Sequence, residues 1–187
     1  PHLARGLLLR NKLLKRKDSK FKIITMVRDP IGFAVSNFFE NYDNFNKELV
    51  QADGSLELKK ILDYLSRKIT SYNPSREYVD TWFDKEIKDT TGVDIFRYPF
   101  DREKGYTIIK EGKVEILVIQ LEKMDRVFQE ALSVFLPFNG PIPMAKSNVG
   151  GAKHYSDLYE KVKKYLVNEK NDCLKVYQSR FSSHFYD

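Results

Sequence analysis

Residues Phe21–Phe39, FKIITMVRDPIGFAVSNFF, constrain the fold of this chain more than any other stretch. Phe21–Val27 is an apolar run rich in β-branched side chains, of the length of a buried strand. It ends in Arg28. Asp29 then stands where a helix N-cap is expected, and Pro30 where the first helical residue is expected. Beyond it the apolar residues recur at helical spacing, with Ile31, Val35, Phe38 and Phe39 on one side and Ser36 near the second turn. A strand thus delivers a cation to its carboxyl end where a helix begins. In open α/β sheets ligands bind at that edge, and helix N-termini there attract anions. Arg28 and the Ser36 hydroxyl are a suitable pair for a phosphate: one offers charge and a fork of donors, the other a short neutral donor.

The rest of the chain alternates in the same way. Leu3–Lys17 reads as a helix with Leu7, Leu8, Leu13 and Leu14 available for packing. The helix opened by Pro30 is expected to run to about Tyr42 and to unwind in the polar stretch that follows. Ser55 is placed to cap a helix ending near Thr70, and Asn73-Pro74-Ser75 to break the chain. A helix over Arg76–Lys88 is expected to bury Tyr78, Val79, Trp82, Phe83 and Ile87 and to stop at Gly92. Tyr106–Lys110 and Val114–Gln120 flank a hairpin-like turn, and the second run, VEILVIQ, is apolar enough for the centre of a sheet. Helices are expected over Met124–Leu136, Ser156–Val167 and Asp172–Phe181, with a long loop over Pro137–Lys153. One α/β domain over residues 1–187 is expected, a mostly parallel sheet layered by helices. Two strong strands are few for such a sheet, and the chain starts at Pro1 rather than Met. Further strands, and any targeting or anchoring segment, are therefore expected upstream.

Composition narrows the classes of function. No apolar run approaches the roughly 20 residues that span a bilayer, and no signal peptide is visible. One cysteine, Cys173, excludes an internal disulfide and a cysteine metal cluster. With no N-x-S/T acceptor, since Asn73 precedes Pro74, this leans towards a cytoplasmic protein. The net charge of +6 is concentrated in Arg5–Lys20. Two readings stay open there, a solvated helix face and a contact with an anionic polymer. The glycine-rich phosphate motifs G-x-x-x-x-G-K-[ST] and G-x-G-x-x-G are absent, as is H-E-x-x-H. His2, His154 and His184 are too scattered to argue for a metal site. Cys173 reads as a buried, idle thiol.

The pattern R-D-P-I-x-x-x-x-S-x-F-F, formed by Arg28, Pro30 and Ser36, resembles the 3'-phosphate-binding segment of sulfotransferases that use 3'-phosphoadenylyl sulfate (PAPS). Glu115–Phe135 resembles that family's later strand, its L-E-x-[LM] segment and the helix after it. Leu121 stands where many cytosolic members carry an aromatic residue against the adenine. Lys146–His154, KSNVGGAKH, resembles the loop that closes over the nucleotide phosphates; a plain connector is the other reading of it. Trp82–Lys104 and the C-terminal VYQSRFSSHFY resemble bacterial sulfotransferase-like proteins of capsular or surface polysaccharide.

The resemblance implies a P-loop NTPase-like sulfotransferase fold lacking its N-terminal strand and phosphosulfate loop. It implies that Arg28 and Ser36 grip the donor's 3'-phosphate, with Gly150, Gly151 and Lys153 closing over the nucleotide. It implies PAPS as co-substrate, no metal, an acceptor hydroxyl, more readily on a carbohydrate, and no nucleic-acid partner. Pro1-His2-Leu3 is similar to the stretch that carries the catalytic histidine in cytosolic members, which makes His2 a candidate base. Glu122 is expected to be structural, capping or tying down the turn after it, and Trp82, Phe83 and Phe100 to be core rather than sugar platforms. Two alternatives stand beside sulfuryl transfer: another nucleotide- or phosphate-using enzyme of surface polysaccharide synthesis, and a non-catalytic basic module binding anionic polymer.

Overall fold

Alternation of short apolar runs with amphipathic helices produces an α/β chain with a small sheet and many helices. The computed structural model describes residues 2–15, 20–41, 49, 57–71, 74–138, 140–143, 155–168 and 171–186. In chain order the elements are α1 (His2–Lys15), β1 (Phe21–Val27), α2 (Pro30–Glu40), α3 (Leu58–Thr70), α4 (Pro74–Trp82), β2 (Tyr106–Glu111), β3 (Val114–Gln120), α5 (Met124–Phe135), α6 (Ser156–Asn168), α7 (Asn171–Leu174) and α8 (Arg180–Phe185). They fall into two compact units. One holds Pro1–Arg28, Glu77–Ile142 and His184–Asp187; the other holds Asp29–Arg76 and Pro143–Ser183.

The first unit is built on a three-stranded sheet in the order β1-β3-β2. β1 lies parallel to β3, with Phe21 opposite Val114 and Val27 opposite Gln120. β2 lies antiparallel to β3, with Tyr106 opposite Ile119. The sheet is therefore mixed, not mostly parallel. The turn at Gly112-Lys113 can only return the chain antiparallel, while the long helical path from β1 to β3 permits a parallel pair. VEILVIQ is central and buried at every position, as its composition predicts. One face packs on α5: Tyr106, Leu117 and Ile119 meet Val127, Ala131, Leu132 and Phe135. β1 has no second strand neighbour among the described residues, and its Ile24 and Met26 remain exposed.

The helix after β1 belongs to the second unit. There α2 contributes Ile31, Val35, Phe38 and Phe39, α3 contributes Ile61, Leu62, Leu65 and Ile69, and α6 contributes Val162 and Leu166, around Cys173 and Val176. Phe39 stacks on Tyr155 with ring centres 4.9 Å apart. Burying each such side chain contributes roughly 1.5–3 kcal/mol before entropy is counted.

Several boundaries differ from the sequence expectation for local reasons. Pro74 opens α4 rather than ending order, because its fixed φ and missing N–H suit a first helical turn. α4 widens into π-type turns over Phe83–Lys88 and ends at Gly92, whose φ of 84° is the left-handed conformation glycine tolerates. Phe83 and Ile87 are buried as expected, but Tyr78 is 49 % exposed. The expected helix over Asp172–Phe181 is interrupted at Ser179, which is extended at φ −70° and ψ 153°. Its hydroxyl accepts from the Ser182 N–H at 3.2 Å and starts α8 afresh. α3 starts at Leu58 without a side-chain cap, and Ser55 lies outside the described residues. The ends of the helices expected at Lys17 and Tyr42 also lie outside them, while α1 and α2 are described to Lys15 and Glu40.

Candidate functional site

β1 and β3 run parallel and end side by side, which brings Arg28 and the turn Leu121–Lys123 to one edge of the sheet. This is the carboxyl edge where α/β sheets carry ligands. Arg28 is half-buried there. Gln120, the only polar side chain inside an otherwise apolar run apart from Glu115, closes β3 at this edge and is 4 % exposed. Its Nε2 donates to the Phe185 carbonyl at 2.6 Å. Its Oε1 is buried with no hydrogen-bond donor among the described residues, an acceptor that costs free energy until a donor reaches it. Sequence reasoning did not single out Gln120; the signal was a lone amide ending VEILVIQ.

The C-terminus completes the edge. Phe185 is fully buried, edge-on to Phe100 at 5.1 Å and tilted against Phe83 at 5.5 Å. Trp82 meets Phe83 edge-on at 5.0 Å. Phe83 is core, as expected, while Trp82 and Phe100 are half-buried at the edge of this cluster. His184 is packed against the rings of Phe96 and Phe185. Tyr186 donates to Glu122 Oε2 at 3.1 Å. Glu122 is thus a tie, but to the C-terminus: the residue before α5 is Lys123, and no side chain caps that helix.

Asp29 belongs to the second unit and governs how α2 begins. Its Oδ1 accepts the Gly32 N–H at 2.6 Å, and its Oδ2 accepts the Tyr177 hydroxyl. The partial positive charge of the helix start is therefore met by the chain's own carboxylate. Gly32 permits this, since a Cβ there would stand 3.2 Å from Asp29 Oδ1. Ser36 is 9 % exposed, and its hydroxyl donates to Glu40 Oε1 at 3.3 Å, long for an O–H···O bond.

The remaining predicted site residues divide. Arg28 closes the first unit's opening segment, and Ser36 lies in the second unit. His2 begins α1. Gly150, Gly151 and Lys153 lie outside the described residues, as does His154. Cys173 is fully buried in the second unit's core, as expected of an idle thiol. Among the described residues no three His, Cys, Asp or Glu side chains gather as a metal site would require. No helix among them is long and apolar enough to cross a membrane.

The profile of the NKWYS family, described as "Putative capsular polysaccharide synthesis protein", matches residues 53–187. The match spans well over half of the chain, and the chain belongs to this family of capsular polysaccharide synthesis proteins. It begins after Ser36, so Arg28 and Ser36 lie outside the matched stretch. No curated protein and no solved structure matches the chain.

Proposed function

We propose that this chain serves capsular polysaccharide synthesis as the nucleotide-binding part of a PAPS-dependent sulfotransferase with a P-loop-like fold. The observation that carries this reading is the sequence of β1, Arg28, capped helix and Ser36, which resembles the 3'-phosphate segment of that family, in a chain of capsular polysaccharide kinship. Arg28 supplies charge and paired donors to the 3'-phosphate. Ser36 supplies a hydroxyl whose present bond to Glu40 is long enough to yield to a better acceptor. Gly150, Gly151 and Lys153 close over the nucleotide, and His2 is a candidate to take the acceptor's proton; these roles rest on the resemblance alone. A carbohydrate hydroxyl attacks sulfur in line, forming an O–S bond as the bond to the nucleotide phosphate breaks.

The measurement is calorimetric binding of 3'-phosphoadenosine 5'-phosphate to the protein. Arg28→Ala is expected to weaken it at least about tenfold, the worth of a charged contact to phosphate. Unchanged affinity removes the assignment.

A second reading, another nucleotide- or phosphate-using enzyme of surface polysaccharide synthesis, is favoured by the family match, whose description names capsular polysaccharide synthesis and not sulfuryl transfer. Competition separates the two: the product of PAPS displaces the ligand in the first reading, whereas ATP or a sugar nucleotide does so in the second.

A further inference from the structure

α1 carries four cations, Arg5, Arg10, Lys12 and Lys15, and no carboxylate. Its inner side is marked by Gly6, where a Cβ would stand 3.0 Å from Thr90 Oγ1, so this turn lies directly against Asp89–Thr91. With about 100° of rotation per residue, Arg5, Leu8, Lys12 and Lys15 fall together on the opposite side. All four are exposed, and Leu8 keeps 62 % and its neighbour Leu9 46 % of their surface in water. Arg5, Lys12 and Lys15 have no ion pair among the described residues.

Two features meet on one face: cations without an ion pair among the described residues, and Leu8 largely exposed between them, with the half-exposed Leu9 on its flank. A hydrated anionic polymer answers the first alone. An anionic bilayer answers both, its headgroups taking the charge and its acyl boundary the leucines. We propose that the Arg5–Leu8–Lys12–Lys15 face of α1 docks on an anionic membrane surface. The helix lies in the plane of the interface, about 21 Å long, with Leu8 turned into the headgroup boundary and Leu9 at its flank. It is too short and too charged to span.

The test is sedimentation of the full chain with vesicles of phosphatidylcholine alone or with about one third phosphatidylglycerol. The expected result is binding to the anionic vesicles only, falling as salt rises. Replacing Arg5, Lys12 and Lys15 together by glutamine should weaken it at least about tenfold, since each contact with an anionic surface contributes. Leu8→Ser with Leu9→Ser should also weaken it about tenfold at unchanged charge, and this arm sets a membrane apart from a polymer. Wild-type affinity in the serine variant, or equal binding to neutral vesicles, overturns the proposal. Far-UV circular dichroism verifies folding of each variant. Should the serine variant fail to fold, Leu8→Trp answers the same question: its added emission should shift to the blue with anionic vesicles, and an unshifted emission overturns the proposal.

Discussion

Tyr177 donates its phenolic hydrogen to Asp29 Oδ2, joining the start of α2 to a residue 148 positions later. Asp29 Oδ1 meanwhile caps the helix through the Gly32 N–H. One carboxylate thus fixes the entry of α2 and the C-terminal segment of the same unit. Asp29→Ala should cost about 1–2 kcal/mol in urea denaturation, the range for a lost N-cap, with the lost tie added. Tyr177→Phe should cost about 0.5–1.5 kcal/mol. The two should couple in a double-mutant cycle; strict additivity would show that the bond does not contribute.

Glu115 is nearly buried in β3 and is held by Lys22 at 2.6 Å and by Lys20 at 3.2 Å. Lys22 also donates to the Phe135 carbonyl at 2.5 Å and sits over its ring. The Lys22 hydrogen bond, then that of Lys20, lowers the Glu115 pKa below the ordinary glutamate value of 4.5. A depressed carboxylate adds stability that is full above the unfolded value and is lost as pH falls through the folded one. Wild-type stability should therefore fall on acidification below 4.5, and Glu115→Gln should flatten that part of the profile. Parallel profiles for the two proteins would show that the pair plays no part.

Gly105 stands at φ +84°, and a Cβ there would meet Lys123 Cδ at 2.5 Å and Cβ at 2.9 Å. Lys123 cannot retreat freely, because its Nζ is bound to the Arg102 carbonyl. The Gly105 carbonyl accepts the Gln120 N–H at 2.9 Å, so a displaced turn also disturbs the end of β3. Gly105→Ala should cost more than about 1 kcal/mol, from left-handed strain with the clash added. A denaturation midpoint equal to wild type would refute this.

Phe185 is fully buried among Phe83, Phe96 and Phe100, and its carbonyl holds Gln120. Phe185→Ala should cost about 3–5 kcal/mol, since it leaves a cavity under the sheet edge. Phe185→Leu should cost less by keeping most of the volume. Guanidinium denaturation of the two variants gives the comparison, and similar small losses would show that the C-terminus is not integral to the unit.

Much of the local structure was legible in Phe21–Phe39 and Val114–Gln120. A β-branched run of seven, an Asp-Pro pair and apolar residues at helical spacing each act within a few residues, so β1, the cap of α2 and the central place of β3 could be read directly. The C-terminal interruption at Ser179 was missed although its device is local: the extended Ser179 accepts the Ser182 N–H and starts a new helix. Of the candidate site, the position of Arg28 at a strand end was legible. The engagement of Asp29 with Tyr177 and of Gln120 with Phe185 was not, because both depend on residues distant along the chain.

The sequence by itself determined the apolar strands, the capped helix that follows Arg28 and the cationic character of α1, all set by neighbours within one or two turns. Tertiary structure alone decided that the sheet is mixed, that Tyr177 engages Asp29 at the start of α2, and that the C-terminal Phe185 closes the edge beside Gln120. Those outcomes depend on which distant surfaces bury one another, and no local preference encodes that choice.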